Sequence, residues 1–215
     1  SNKLKMTCIV CKSESVSSFN TKDKKTYWQC SYCSVKFLDQ AFFIDEDTEK
    51  GRYLEHHNEI GDPAYLKFLS KLSEPLTAKL KPDDRGLDFG CGHGPALAEM
   101  LKAKGYDIDL YDPFFYPNKE IFSKKYNFIT CTETAEHFFN PNKEFKTLDS
   151  LLLPDAWLGV MTTFLTEDKL FENWYYRRDP THVVFYAERT FEVIAEQNNW
   201  KLEIPTKDIA LFCKN

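Results

Sequence analysis

The sequence predicts an α/β fold in which a parallel sheet ends in an antiparallel hairpin and a small metal-held head precedes it. Three observations carry this reading. Strand-like and helix-like patterns alternate from residue 86 towards the C-terminus, the order that builds a parallel sheet. Three of the eight glycines stand at positions 90, 92 and 94, between a strand and a helix. Four of the seven cysteines form two C-x2-C pairs near the N-terminus. The 215 residues are 42% hydrophobic and 28% charged, enough to build a core, which excludes global disorder. No apolar run approaches the ~18 residues of a membrane-spanning helix. Residues 1–6 hold no apolar segment of the kind a secretory signal needs, so a cytoplasmic chain is expected.

The head comes first. Cys8 and Cys11 are followed, after an eighteen-residue spacer, by Cys30 and Cys33. Thiolates two residues apart can face one tetrahedral ion, and a second pair closes the shell, as in a structural zinc site. Disulfides or a redox pair are the alternatives, and both suit a cytoplasmic chain poorly. Residues 26–29 and 35–38 read as short strands, making residues 1–38 a zinc ribbon. The metal would substitute for a core that so few residues cannot supply. Seven lysines against Glu14 and Asp23 give residues 1–36 a net charge of +5, leaving −10 for the remainder of a chain whose total is −5. A body this acidic repels a phosphate backbone, so nucleic acid is an improbable partner except through the head.

Residues 39–61 are acidic and read as an irregular linker or lid carrying His56 and His57. Residues 62–215 form the main domain. Asp62 is placed to cap a helix with Pro63 in its first turn, and Tyr65, Leu66, Leu69, Leu72, Leu76 and Leu80 make its apolar stripe. Residues 86–89 read as a buried strand, 96–104 as a helix, and 106–111 and 126–131 as strands. Residues 144–153 read as a helix, 157–164 as a strand and 188–198 as a helix, with strands at 201–204 and 209–212 forming the closing hairpin.

The glycine loop runs Leu87-Asp88-Phe89-Gly90-Cys91-Gly92-His93-Gly94-Pro95. Between a strand and a helix, absent side chains let a ligand approach backbone amides. Asp112 stands at the end of the next strand, twenty residues after Gly92, where a carboxylate can accept hydrogen bonds from ribose hydroxyls. A tight turn with an incidental surface aspartate would leave the same pattern.

Asp88-x-Gly90-x-Gly92-x-Gly94, Asp112-Pro113 and the run from Phe128 to His137 resemble three successive motifs of class I S-adenosylmethionine-dependent methyltransferases. The Glu136-His137 pair resembles the small-molecule branch typified by ubiquinone-biosynthesis methyltransferases. Asp179-Pro180-Thr181-His182-Val183 with Phe185-Tyr186 is similar to that branch's segment before its last helix. The resemblance spans residues 84–212 and implies a Rossmann-like sheet. It also implies S-adenosylmethionine as cofactor, held by Asp88, Gly90, Cys91, Gly92, Asp112 and Thr132, and a small-molecule methyl acceptor. One departure stands out. Phe128 follows Asp112 by only sixteen positions, too few for the usual helix, third strand and connection. The sheet is therefore expected to have six strands, or seven with a vestigial third, and Phe114 or Phe115 is expected to stack on the adenine.

Methyl transfer from a sulfonium needs alignment above all, and a general base where the acceptor carries a proton. Glu133, His137 and His182 are the candidates for that base. His137 falls on the same face as Glu133 if residues 133–138 are helical. A purely orienting hydrogen bond is the competing role for His137, and a solvent-facing loop position for His93. Arg177 and Arg178, with Tyr176, are expected to clamp an anionic acceptor beneath a lid of aromatic residues from 171 to 186. The alternative is that these aromatics cover the sheet while the arginines are solvated. Two rival functions stand beside the small-molecule enzyme: a ribosomal- or transfer-RNA methyltransferase using the basic head, and a degenerate cofactor-binding protein.

Overall fold

The computed structural model describes residues 5–56, 61–167 and 170–215. His57 lies outside them. The head contains β1 (Val16–Asn20), β2 (Thr26–Cys30) and β3 (Lys36–Leu38). β1 pairs antiparallel with β2, and β2 with β3. The body's main sheet runs β5-β4-β6-β7-β10-β9. Its strands are β4 (Arg85–Phe89), β5 (Asp107–Tyr111), β6 (Tyr126–Thr132), β7 (Leu152–Met161), β9 (Trp200–Thr206) and β10 (Ile209–Lys214). The first four are mutually parallel, and β10 returns antiparallel between β7 and β9 as the expected hairpin.

Six strands form this sheet among the described residues. The segment after β5 holds only an Asp112–Tyr116 bridge and a 3-10 turn, Lys119–Ser123, whose Ile121 is fully buried. No further strand lies there among the described residues, in line with the six strands expected: the connection is too short to cross back and pair.

Helices cover both faces. α2 (Pro63–Thr77) starts as predicted, with the Asp62 carboxylate accepting from the Ala64 amide at 3.1 Å. Its Leu69, Leu72 and Leu76 pack with Leu97 and Leu101 of α3 (Ala96–Ala103) against Phe128, Met161 and Leu211. On the other face, α4 (Pro141–Leu151) and α5 (Glu188–Asn198) bury Phe145, Leu148, Phe191 and Ile194 against Ile129, Leu158 and Phe212. Strand alternation assigns neighbouring residues such as Phe128 and Ile129 to opposite faces. α4 begins three residues before the predicted 144, because Asn140 caps it and Pro141 occupies its first turn. β7 correspondingly starts at Leu152, ahead of the predicted 157.

The stretch expected to be irregular contains a helix, α1 (Glu46–Leu54). Asp45 caps it by accepting from the Thr48 amide at 2.7 Å, and Glu46, Asp47 and Glu49 fill its first turn. The acidic run read as linker is the charge a helix N-terminus favours.

The head is joined to the body by main-chain pairing. β3 adds a two-residue strand of the body, β8 (Val184–Phe185), to the head's sheet, and the Leu38 amide donates to the Val183 carbonyl at 2.8 Å. Thr190 Oγ1 donates to the Cys33 carbonyl, Gln197 Nε2 to that of Cys11, and Asn142 Nδ2 to that of Val10, all within 2.9 Å. Arg177 completes the joint. Its side chain is 3% exposed, and its Nη1 reaches Asp23 Oδ2 at 3.0 Å and Tyr27 Oη at 3.3 Å in the head. Its other nitrogens donate to the carbonyls of Phe171 and Glu172. The predicted anionic clamp is thereby overturned: Arg177 is consumed by the head, and the exposed Arg178 does not line the cleft described below. Phe171, Trp174, Phe185 and Tyr186 are buried around the same joint as core rather than as a lid.

Removing the Arg177 guanidinium leaves two carbonyls and the Tyr27 hydroxyl with fewer partners. Arg177→Ala should therefore lower unfolding stability by ~2 kcal/mol in urea titrations. Acceptor affinity should stay unchanged; a raised Michaelis constant at full stability would restore the clamp.

Candidate functional site

One cleft of about 940 Å³ opens at the C-terminal ends of β4, β5 and β6, where parallel sheets bind ligands. One end is the glycine loop. Gly90 and Gly92 have φ of 81° and 69°, the left-handed region that favours glycine. A Cβ on Gly90 would strike the Thr134 side chain at 2.3 Å, whereas one on Gly92 would project into open space. The first glycine packs the loop down, and the second leaves room for a ligand. Thr134 Oγ1 donates to the Gly90 carbonyl at 3.1 Å and the Gly90 amide to the Tyr111 carbonyl at 2.8 Å, which ties the loop to its neighbours.

Asp112 is 8% exposed and organises this end. Its Oδ1 accepts from the amides of Phe114 and Phe115 at 2.9 and 3.2 Å, and its Oδ2 from the Gly92 amide at 3.0 Å. Oδ1 is thus saturated, and Oδ2 keeps one lone pair for a ligand. Thr132 Oγ1 is shielded and has no hydrogen-bond partner among the described residues, yet Thr132 lines the cleft. Cys91, His93, Phe114 and Phe115 line it too. Asp88 does not. It lies beneath the loop, accepts from Thr130 Oγ1 at 3.0 Å, and burial pushes its carboxyl up to about 7. Asp109, the other carboxylate on β5, is held by Tyr126 Oη at 2.6 Å and by Lys124, outside the cleft.

The far end is built from three segments. α1 supplies Glu46, Glu49 and Tyr53, with His56 just beyond its end. Tyr53 Oη donates to Glu49 Oε2 at 2.6 Å, and its ring meets His137 edge-on at 5.2 Å. The loop after β6 supplies Glu133, Glu136 and His137. Residues 133–138 are not a helix: Glu133 has φ of 51°, and a 3-10 turn follows at Ala135–His137. A left-handed glutamate is strained backbone of the kind that gathers at sites of function. Glu133 is open to solvent inside the cleft but surrounded by protein, which pushes its carboxyl up to about 7.

The third segment supplies Tyr176 and His182. Asp179 Oδ1 accepts from the Thr181 amide and hydroxyl at 3.0 and 2.7 Å, an Asx turn that fixes the chain entering His182. His182 Nδ1 lies 2.7 Å from the Tyr176 carbonyl, and His137 Nδ1 lies 2.8 Å from the Thr181 carbonyl. A carbonyl can only accept, so each Nδ1 carries a proton and each Nε2 keeps its lone pair. The two rings are 5.0 Å apart. Burial lowers the basicity of both, His137 to about 4.

Glu136 is the residue the sequence reading passed over. It is 1% exposed, and its Oε2 accepts from Thr162 Oγ1 at 2.6 Å and from Tyr176 Oη. Among the described residues its Oε1 has no hydrogen-bond partner, and it lies 3.7 Å from His137 Nε2. The only sequence signal was its place in the Glu-His pair.

The head holds a second candidate site. The sulfur pairs Cys8–Cys33 and Cys11–Cys30 are 3.7 Å apart, and all four Sγ atoms lie within 4.8 Å of one another. A tetrahedral ion with bonds of about 2.3 Å needs sulfurs about 3.8 Å apart, so the set fits such an ion, and 3.7 Å excludes disulfides. The amides of Val10 and Cys11 point to Cys8 Sγ, and that of Cys33 to Cys30 Sγ, as thiolates require.

A family model described as "Methyltransferase domain" matches residues 54–203. The chain belongs to the methyltransferase-domain family. Sequence comparison with curated proteins gives no match. Among solved structures, a 1,6-didemethyltoxoflavin-N1-methyltransferase from Burkholderia thailandensis aligns over 92% of this chain and 99% of its own, at TM-score 0.56 and 12% identity. A Pyrococcus horikoshii protein aligns over 77% of this chain and 98% of its own, at TM-score 0.52 and 16% identity. At these identities the likeness shows a shared fold. In this methyltransferase the head is joined through β8, which belongs to the head's sheet and not to the main one. Among the described residues no helix is long and apolar enough to cross a membrane.

His137 gives the methyltransferase a titration signature. Its pKa falls from 6.5 to about 4 on folding, so between those values the unfolded chain binds a proton that the folded chain does not. Stability therefore falls as the pH drops through that window, by about 3 kcal/mol from this group. Urea titrations of His137→Asn should show that much less loss than the parent between pH 7 and pH 4. Equal losses would mean that His137 accepts its proton within the fold.

Proposed function

We propose that this chain transfers a methyl group from S-adenosylmethionine to a small-molecule acceptor. The observation that carries the reading is the continuity of the cleft, which joins the glycine loop and Asp112 to the cluster of Glu133, Glu136, His137 and His182. Gly90, Cys91 and Gly92 would lie along the cofactor, with Asp112 Oδ2 on a ribose hydroxyl and the unpartnered Thr132 hydroxyl as a further donor. Phe114 or Phe115 would stack on the adenine. The cofactor supplies an activated methyl on a sulfonium, and the protein's task is to align the acceptor and take its proton. Tyr176 and Tyr53 form walls of the acceptor end, and the Nε2 atoms of His137 and His182 are positioned to accept.

Cys8, Cys11, Cys30 and Cys33 would hold a structural zinc. The head pairs with the strip that presents His182 and whose Val183 amide holds the Glu136 carbonyl, so metal loss should disturb the acceptor end before the cofactor end. RNA is the weaker alternative: six carboxylates line the cleft, and a phosphate backbone would meet them. The degenerate alternative leans on the missing third strand, yet the loop and Asp112 are intact.

Calorimetry should detect S-adenosylmethionine binding, and no binding at millimolar ligand would sink the reading. Asp112→Ala removes charge-assisted hydrogen bonds worth about 1.5–3 kcal/mol, so affinity should fall roughly 10- to 150-fold. An unchanged dissociation constant would move the ribose elsewhere. Metal analysis should give one zinc per chain, and a folded, metal-free head would overturn that assignment.

A further inference from the structure

The charged groups that line the cleft are almost all acceptors of hydrogen bonds. Glu46, Glu49, Asp112, Glu133, Glu136 and Glu144 line the cavity, and among the described lining residues Lys143 is the lone lysine or arginine. The arginines that the sequence offers for an anion are elsewhere, Arg177 locked into the head and Arg178 outside the cavity. His137 and His182 spend their Nδ1 protons on carbonyls and keep acceptor Nε2 atoms, which lie 3.7 Å from Glu136 Oε1 and 3.6 Å from Asp179 Oδ2. Tyr176 and Tyr53 spend their hydroxyl protons on Glu136 and Glu49. Glu136 borders the cavity with a side chain 1% exposed, and its Oε1 has no hydrogen-bond partner among the described residues. A buried carboxylate oxygen without a donor is costly, and none of the described residues supplies one.

A phosphorylated or carboxylated acceptor would face this array with its own negative charge. A molecule bearing an ammonium group reverses every sign: its N–H bonds satisfy Glu136 Oε1 and the histidine Nε2 atoms, and its charge offsets the carboxylates. Tyr53 and Phe114, with ring centroids 5.7 Å apart, give the cation aromatic faces. We propose that the methyl acceptor is a primary or secondary amine that enters as its ammonium ion and is received by Glu136. The proposal rests on the methyl-transfer reading above and names its substrate class.

The step balances. The ammonium gives one proton to Glu136 Oε1, turning the carboxylate into a carboxylic acid and freeing the nitrogen lone pair. That pair forms a bond to the methyl carbon while the carbon–sulfur bond breaks, its electrons passing to sulfur. The sulfonium becomes a neutral thioether, and the product leaves as an N-methylammonium ion. The total charge of +1 on cofactor sulfur, acceptor and Glu136 is the same before and after. Glu136 touches the acceptor and is assigned as a catalytic residue. Thr162 and Tyr176 hold its second oxygen and are positioning residues.

The test uses the full-length zinc-loaded chain with S-adenosylmethionine, and S-adenosylhomocysteine release as readout. Primary and secondary amines are assayed against alcohols, carboxylates and phosphate esters on the same carbon skeletons, benzylamine against benzyl alcohol, benzoate and benzyl phosphate among them. Turnover should appear with amines and not with their isosteres. Turnover confined to alcohols, carboxylates or phosphates overturns the proposal, and so does silence from every amine when calorimetry shows the cofactor bound. Failure to bind the cofactor would instead overturn the methyl-transfer reading. Glu136→Gln preserves shape and removes the charge. It should cut kcat/KM for the best amine by at least about 100-fold while leaving thermal stability and cofactor affinity at parental levels. A variant that keeps its rate, or loses it only along with its fold, removes Glu136 from the chemistry.

Discussion

The pairing of β3 with β8 is the constraint on which the rest of this molecule depends. β8 is two residues long and would have no sheet to join without the head. The residues just before it, Thr181 to Val183, carry the carbonyl that receives the His137 proton and the amide that donates to the Glu136 carbonyl at 2.8 Å. The strip is therefore gripped from both sides, by the head through Leu38 and by the loop after β6. A site whose acceptor atoms must keep fixed directions needs such support, because a shift of an ångström costs orders of magnitude in rate. The four cysteines, far from the cavity, set the geometry of its wall.

The two ends of the cleft are stabilised by different physics. At the glycine end, backbone amides converge on one carboxylate, Asp112, which closes the turn at 113–115 and the loop at 90–92 together. That arrangement is local and polar. At the acceptor end, order comes from burial. Tyr176, Thr162 and Glu136 are wedged among aromatics, including Trp174 at 5.0 Å and Phe185 at 6.2 Å from the Tyr176 ring. Desolvation there pushes the Glu136 carboxyl up and both histidines down.

Much of this was legible in the chain. Cysteine spacing, the glycine loop and the alternation after residue 86 each encode a local geometry, and local geometry is what sequence patterns report. The Asp62-Pro63 start of α2 was equally plain. Arg177 was misread because its partner Asp23 lies 154 positions away, and no pattern near Arg177 announces it. Glu136 was overlooked because its significance is a missing hydrogen bond, which no residue identity displays. α1 was missed for a nearer reason: its caps and acidic first turn were present, but its sparse apolar content hid the helix.

The missing third strand leaves β5 as the outer rim of the main sheet, with β9 at the opposite rim. An open rim offers unpaired amides and carbonyls to any second chain that drifts alongside, which is how sheets grow into aggregates. Here β5 carries Asp107 and Asp109, bridged to Arg85 and Lys124, while β9 carries Lys201, Glu203 and Pro205. An approaching copy would have to strip water from those charges on one side and pair with a proline, which offers no amide, on the other. Shortening the connection after β5 thus trades a covered flank for a charged one.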